Sequence, residues 1–262
     1  MNPEAPPVEA WSAALATSHR RLASVVAALS ADEVAGPSYD NEWSIAHVLS
    51  HLGSGAEIFA LFLRAGLNGE PAPGPDAFKP VWERWDARSP EDQAAESLVA
   101  DRAFLDRLGS LDGEQQRAWH LSMFGADHAL GDLLRLRLGE HALHTWDIDV
   151  MRDAAAVIAP DAVDLLVDRL DQIVSRAHHD PDRPLRLMIS TSGPSRRFLL
   201  VADSDGTRLV EPGGSIQADR VLSLPGEAWI RLVYGRLDPL HTPDVDGDPS
   251  DLDALRQLFP GV

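Results

Sequence analysis

Cysteine is absent from the 262 residues. That absence excludes disulfides, thiolate metal ligands and a protein thiol nucleophile together. Any sulfur chemistry must therefore be brought by a cofactor or substrate. Lysine is nearly absent too: Lys79 stands alone, and every other side-chain cation is an arginine. Positive charge is scarce throughout. Lys and Arg number 23 against 41 Asp and Glu, a net charge of −18. Both halves share the imbalance, 11 against 23 in residues 1–150 and 12 against 18 in 151–262. Such surfaces repel polyanions, so no nucleic-acid partner and no anionic membrane is expected. No run of about 18 apolar residues marks a membrane span. The stretch Met1-Asn2-Pro3-Glu4-Ala5-Pro6-Pro7 lacks the basic and apolar regions of a signal peptide. The expectation is a cytoplasmic protein.

What is present is enough for a sizeable core, with 44% of residues hydrophobic. The composition shifts near residue 152, which divides the chain into 1–152 and 153–262. In the first part, Trp11, Leu15, Leu22, Val25, Val26 and Leu29 share one stripe of a helix from Val8 to Leu29. A turn at Gly36-Pro37-Ser38 precedes a second helix, capped by Ser44 and running to Leu67, with a bend expected near Gly53 and Gly55. Residues 68–81, rich in Gly and Pro, read as a loop. Ser89-Pro90-Glu91-Asp92 starts a third helix that ends at Gly109 in a left-handed terminal role. A loop through His120 and Phe124 leads to a fourth, from Asp127 to Val150. Four helices with one long crossover predict a bundle, an all-α domain. In the second part, Asp161–Ala177 reads as a helix. Strands follow at 185–189, Phe198–Val201, Arg208–Val210 and Ile216–Leu224, with a hairpin turn at Ser204-Asp205-Gly206. Short helices at Gly226–Tyr234 and Ser250–Leu258 complete an α+β domain with an antiparallel sheet.

The chemistry concentrates in two helical stretches. Gly139-Glu140-His141-Ala142-Leu143-His144-Thr145-Trp146-Asp147 puts Glu140 and His144 one turn apart, on one face. Trp43-Ser44-Ile45-Ala46-His47-Val48-Leu49-Ser50-His51-Leu52 puts His47 and His51 at the same spacing. One of those two histidines with Glu140 and His144 would make a three-ligand site with an open position, suited to zinc and equally to non-haem iron or nickel. Leu133, Leu134 and Leu138 imply a buried helix, in which a charged Glu needs a partner. Asp147 lies three residues beyond His144 and can take its other ring N–H. Arg137, three before Glu140, is placed to pair with Glu140 or Asp147. His141 points about 100° away from Glu140, to packing or solvent. Trp11, Trp43 and Trp146 read as core. Trp82 and Trp85, beside the Pro-rich stretch, could instead line a mouth.

These two stretches resemble the metal motifs of the mycothiol-dependent maleylpyruvate isomerase family, within the DinB-like bundle superfamily. The family's first motif opens on a Trp and ligates zinc through a His just before Leu, which matches His51. Its second, Glu-His-x-x-His-x-Trp-Asp, matches Glu140 and His144. The second part of the chain, including Ala228-Trp229-Ile230-Arg231-Leu232-Val233-Tyr234-Gly235-Arg236, looks like the family's sterol-carrier-like domain. The resemblance implies a DinB-like four-helix bundle binding a divalent metal, zinc first, through His51, Glu140 and His144. It leaves His47 as a helix-start residue near the site. His47, and Trp82 from its place beside the Pro-rich stretch, are the expected cofactor-binding residues. It implies mycothiol, a small actinobacterial thiol, as cosubstrate, and a small-molecule substrate.

A metal-coordinated thiol is deprotonated near neutral pH and becomes a nucleophile. It could add to a conjugated double bond, allow rotation and leave, which is cis–trans isomerisation of a maleylpyruvate-like substrate. It could equally transfer to an electrophile. A substrate carboxylate calls for a cation, and Arg236 matches a recurrent Gly-Arg of the family. Two other readings stand beside these: a non-catalytic, metal-stabilised small-molecule-binding protein, and a metal-dependent hydrolase, which would need a general base. Monomer and homodimer are both compatible with the sequence.

Overall fold

Short polar side chains set where the helices begin. Ser44 Oγ accepts the His47 N–H at 3.2 Å, and Ser89 Oγ accepts that of Asp92 at 3.2 Å. Each satisfies a donor that the first helical turn leaves without a carbonyl. The computed structural model describes residues 5–40, 42–123, 125–177 and 184–261. The first four residues of the Pro-rich start and Phe124 of the expected loop lie outside them.

The chain divides into two compact units, Met1–Ala156 and Val157–Val262. Trp146 Nε1 donates to the Ala156 carbonyl at 2.8 Å and ties the small-residue joint after residue 152 to the first unit. That unit contains α1 (Val8–Ala27), α2 (Ala31–Ala35), α3 (Ile45–Asn68), α4 (Pro75–Asp86), α5 (Pro90–Gly109), α6 (Gly113–Ala118), β1 (His120–Met123), β2 (Ala126–Ala129) and α7 (Leu130–Asp149). The long helices close a bundle: α3 packs along α5 and α7, and α1 along α7 and α5. Leu22, Val25, Val48, Leu49, Leu52 and Ile148 meet in its core. Burying each such side chain is worth about 1.5–3 kcal/mol. Among the described residues α3 is the one helix long and apolar enough to cross a bilayer, and 61% of its most apolar window is buried inside the protein.

Several local expectations are corrected. The stretch 68–81 is not all loop, because α4 begins at Pro75 and carries Pro80 inside it. Pro75 sits at the first helical position, where its missing N–H costs nothing. The spacing of Val81 and Trp85 then buries one face of α4. Gly53 and Gly55 do not break α3, which is continuous. A Cβ on Gly53 would collide with the Trp85 ring, and one on Gly55 would come within 2.9 Å of Arg137 Nη1. Both glycines are there for close packing. Gly109 is the last helical residue of α5 rather than a left-handed terminus, and Ser110, at φ −81°, follows it. His120–Met123 and Ala126–Ala129 pair as antiparallel strands, with Leu121 opposite His128. The helix expected from Asp127 therefore starts at Leu130, and the Asp132 carboxylate accepts the Ala129 N–H at 3.0 Å.

The second unit contains α8 (Pro160–Leu166), α9 (Asp171–Val174), β3 (Leu185–Ser192), β4 (Arg196–Asp203), β5 (Gly206–Val210), β6 (Arg220–Pro225), α10 (Gly226–Val233), a 3-10 turn at Pro239–His241 and α11 (Pro249–Leu258). The single helix expected over 161–177 is thus two short ones, and the break places Asp168 against Arg196 Nε, at 2.8 and 2.9 Å from its two oxygens. The sheet order is β5-β4-β3-β6. The expected antiparallel sheet is mixed, since β6 runs parallel to β3 with Ile189 opposite Leu222. The cause is the return segment after β5. Ile216 and Ala218 do not begin the last strand but cover Met188, Leu199 and Val201 on one sheet face. Residues on the opposite face alternate with these, and there Phe198 stacks on Trp229 of α10 at 6.4 Å.

Candidate metal centre

Two helices and one loop build the site. His51 lies in the second turn of α3, and Glu140 and His144 lie one turn apart on α7. The loop before α3 is tied down on both sides. The Ser38 N–H donates to the Trp43 carbonyl at 3.0 Å, and the Tyr39 N–H to the Asp147 carbonyl at 3.1 Å.

His51 Nε2 stands 3.0 Å from Glu140 Oε2, and His144 Nε2 3.7 Å from the same oxygen. One ligand atom from each residue lies within 4.8 Å of the others. Atoms bound about 2.0–2.1 Å from a tetrahedral ion are roughly 3.3 Å apart, so the separations of 3.0 and 3.7 Å bracket what such an ion requires. His144 Nδ1 contacts Asp147 Oδ2 at 2.8 Å. With its proton held there, the ring turns the Nε2 lone pair toward Glu140. The donor set, two imidazoles and a carboxylate, fits a divalent ion, and the cluster could coordinate one.

Burial opposes ionisation of Glu140. The His51 hydrogen bond, the charges of His144 and His51, and Arg137 nevertheless hold its carboxyl at about 2, below the ordinary 4.5. Its side chain as a whole is 46% exposed.

Trp43 was expected in the core and is not there. It precedes the Ser44 cap, is 36% exposed, and its indole lies 5.3 Å from the His51 ring and 6.2 Å from the His144 ring, stacked on the latter. A helical-stripe reading mistakes it for core because it sits just outside the helix. His47 closes the helix start, its Nδ1 3.1 Å from Ser44 Oγ, and stays outside the three-residue cluster. Trp82 is exposed on α4 with its ring 5.8 Å from Phe78, while Trp85 is buried. Arg236 belongs to the second unit. It follows the left-handed Gly235 (φ 71°) and donates from Nη1 to the Tyr234 carbonyl at 3.0 Å. It lines a cavity of about 500 Å³ with Arg176, Tyr234 and Phe259. Arg137 pairs with neither Glu140 nor Asp147 but with Asp101, at 2.8 Å, and His141 is fully buried beside that pair.

The family model described as the mycothiol maleylpyruvate isomerase N-terminal domain matches residues 15–149, just over half of the chain. The chain belongs to this family. The match spans α3, α7 and all three residues of the cluster. Among solved structures, the crystal structure of the mycothiol-dependent maleylpyruvate isomerase is similar with a TM-score of 0.67 at 15% identity, over 89% of this chain and 91% of that one. The crystal structure of a histidine-to-alanine mutant of the same isomerase gives 0.66 at 15%, over 88% and 90%. At that identity the likeness shows the fold: a helical bundle followed by a mixed α/β unit with a sheet. Comparison with curated proteins gives no match.

Proposed function

We propose that this member of the mycothiol maleylpyruvate isomerase family is a cytoplasmic enzyme that activates a small thiol, mycothiol, at a zinc centre held by His51, Glu140 and His144. Its reaction is cis–trans isomerisation of a maleylpyruvate-like substrate or S-transfer to an electrophile. The observation that carries the reading is the approach of His51 on α3 to Glu140 on α7, 3.0 Å apart, with His144 aimed at the same oxygen by Asp147. A zinc ion held there would supply Lewis acidity and lower the pKa of a coordinating thiol.

The chain's own residues do the rest. Glu140 brings one negative charge to the ion. Asp147 keeps the His144 proton on Nδ1. Trp43 walls one side of the cluster with an apolar ring. The protein has no thiol of its own to compete for the metal, and the reducing cytoplasm keeps small thiols free. His47, exposed one turn before His51, and Trp82 are proposed contacts for the thiol. Arg236, with Arg176 in the cavity of the second unit, suits a carboxylate.

Metal analysis of the wild type and His144→Ala tests the ligand set, with one bound ion expected in the first and loss in the second. Equal zinc in both would remove His144 from the site. Turnover of maleylpyruvate with mycothiol, set against conjugation of a generic electrophile, separates the two reactions. No reaction with any thiol would overturn the reading.

A further inference from the structure

Behind the ligands, the long helices of the first unit meet at one carboxylate. Asp101 of α5 is 2% exposed. Its Oδ1 accepts from Arg137 Nη2 of α7 at 2.8 Å, and its Oδ2 lies 2.8 Å from His19 Nδ1 of α1. His141 Nε2 of α7 stands 3.1 Å from Oδ2. The other nitrogen of that ring, Nδ1, is 2.8 Å from Ser18 Oγ. The fourth helix joins through Arg137, whose Nη2 also donates to the Leu52 carbonyl of α3 at 3.0 Å.

Stability alone is a poor account of this hub. A buried ion pair can often be replaced by apolar side chains of the same volume at no cost. Arg137 is 1% exposed, and among the described residues its Nε has no partner, which is a further cost. What the hub does provide is register. Leu52 is the residue after His51, Arg137 lies one turn before Glu140, and His141 is the residue after Glu140. One guanidinium and one carboxylate thus clamp α3 and α7 at points adjacent to both ligands. Sliding one helix by a residue would move it about 1.5 Å, enough to break the His51–Glu140 approach of 3.0 Å. Gly55 of α3 leaves the passage for the guanidinium, since a Cβ there would press on Arg137 Nη1 at 2.9 Å.

We infer that Asp101 and Arg137 are positioning residues of the metal centre: they set the register in which α3 presents His51 to Glu140 and His144, and through it the affinity for the ion. The inference rests on the reading of those three residues as metal ligands.

Cobalt(II) titration followed by visible spectroscopy tests it on the whole chain, with Asp101→Asn and Arg137→Lys as variants. Lysine keeps the charge opposite Asp101 and loses the planar fork. Leu63→Ala serves as a control, fully buried on α3 roughly three turns beyond His51. Both hub variants are expected to bind cobalt about 10–100-fold more weakly, with altered d–d bands. Leu63→Ala, also lowered in Tm, is expected to bind like the wild type. Hub variants that fold by circular dichroism and bind within about twofold of the wild type would overturn the inference, as would an equal loss in Leu63→Ala. Should Asp101→Asn fail to fold, Arg137→Lys decides. A wild type that binds no cobalt overturns the ligand set itself, a different result from unchanged binding in the variants.

Discussion

His144 donates its Nδ1 proton to Asp147 Oδ2 at 2.8 Å, and the Asp147 side chain is wholly buried. The two residues are three apart on α7, so the helix itself presents the carboxylate to the ring. Asp147→Asn keeps the shape and removes the charge. Zinc affinity is expected to fall by about 10–100-fold, as it does when a partner behind a ligating histidine is changed. Competition against a chromogenic chelator measures it. An unchanged affinity would show that His144 needs no such partner.

Trp43 offers a spectroscopic handle. Its indole stands 5.3 and 6.2 Å from the two imidazoles of the cluster. A paramagnetic ion such as cobalt bound there should quench its fluorescence. Trp43→Phe is expected to remove the largest share of the cobalt-induced quenching, while stability shifts by about 0.5 kcal/mol or less, as for an exposed site. Quenching that persists in full would place the ion elsewhere.

Gly53 and Gly131 should answer differently to alanine. In a free helix alanine is worth about 1 kcal/mol over glycine. At Gly53 the new methyl group meets the ring of Trp85, and overpacking of this kind costs about 1–3 kcal/mol. At Gly131 the nearest atoms, on Trp11, are 3.7 and 3.8 Å away, an ordinary contact. Denaturant unfolding should show Gly53→Ala destabilised and Gly131→Ala unchanged or stabilised by up to about 1 kcal/mol. Equal stabilities would mean that Trp85 yields freely.

Acid should act through the carboxylates that folding depresses: Asp203, held at about 2 by its Arg208 hydrogen bond, and two in the bundle. Burial works against ionising Asp101, and His141, His19 and Arg137 overcome it, holding its carboxyl far below 3.8. Glu140 is held at about 2 against an ordinary 4.5. Both values are depressed on folding. The stability they contribute is therefore fully present above about pH 4.5 and is lost as the pH falls toward 2, where the unfolded chain takes up protons and the folded chain does not. Calorimetry of the metal-free protein should show Tm falling across that window. Asp101→Asn should flatten the slope more than Glu140→Gln, because the 46% exposed Glu140 is screened by solvent. A slope unchanged in Asp101→Asn would refute the assignment.

The sequence made much of this protein legible because many of its signals are local. A serine before an apolar stripe caps a helix at Ser44 and Ser89, as the structure has it. The alternation of 185–189 and the turn at 204–206 gave β3 and the β4–β5 hairpin. The failures share one cause. Pro80 inside α4, the close-packed Gly53 and Gly55 of α3 and the parallel pairing of β6 all depend on what lies opposite, and no window of sequence contains that. The buried hub escaped for the same reason: Asp101 and His19 lie within the expected helices, with no local sign that they would meet Arg137 and His141.

By itself the sequence determined the donor chemistry. It has no thiol, it carries Glu140, His144 and Asp147 on one helix, and it carries two histidines at the same spacing on another. Spacing along a helix fixes the angle between side chains on that helix, because 3.6 residues make a turn. It does not fix how one helix is rotated or slid against the next. Only the tertiary structure brought His51 to Glu140 at 3.0 Å, left His47 at the helix cap and turned Trp43 out over the imidazoles. The reason is physical: those placements are set by packing and by buried contacts between helices far apart in the chain.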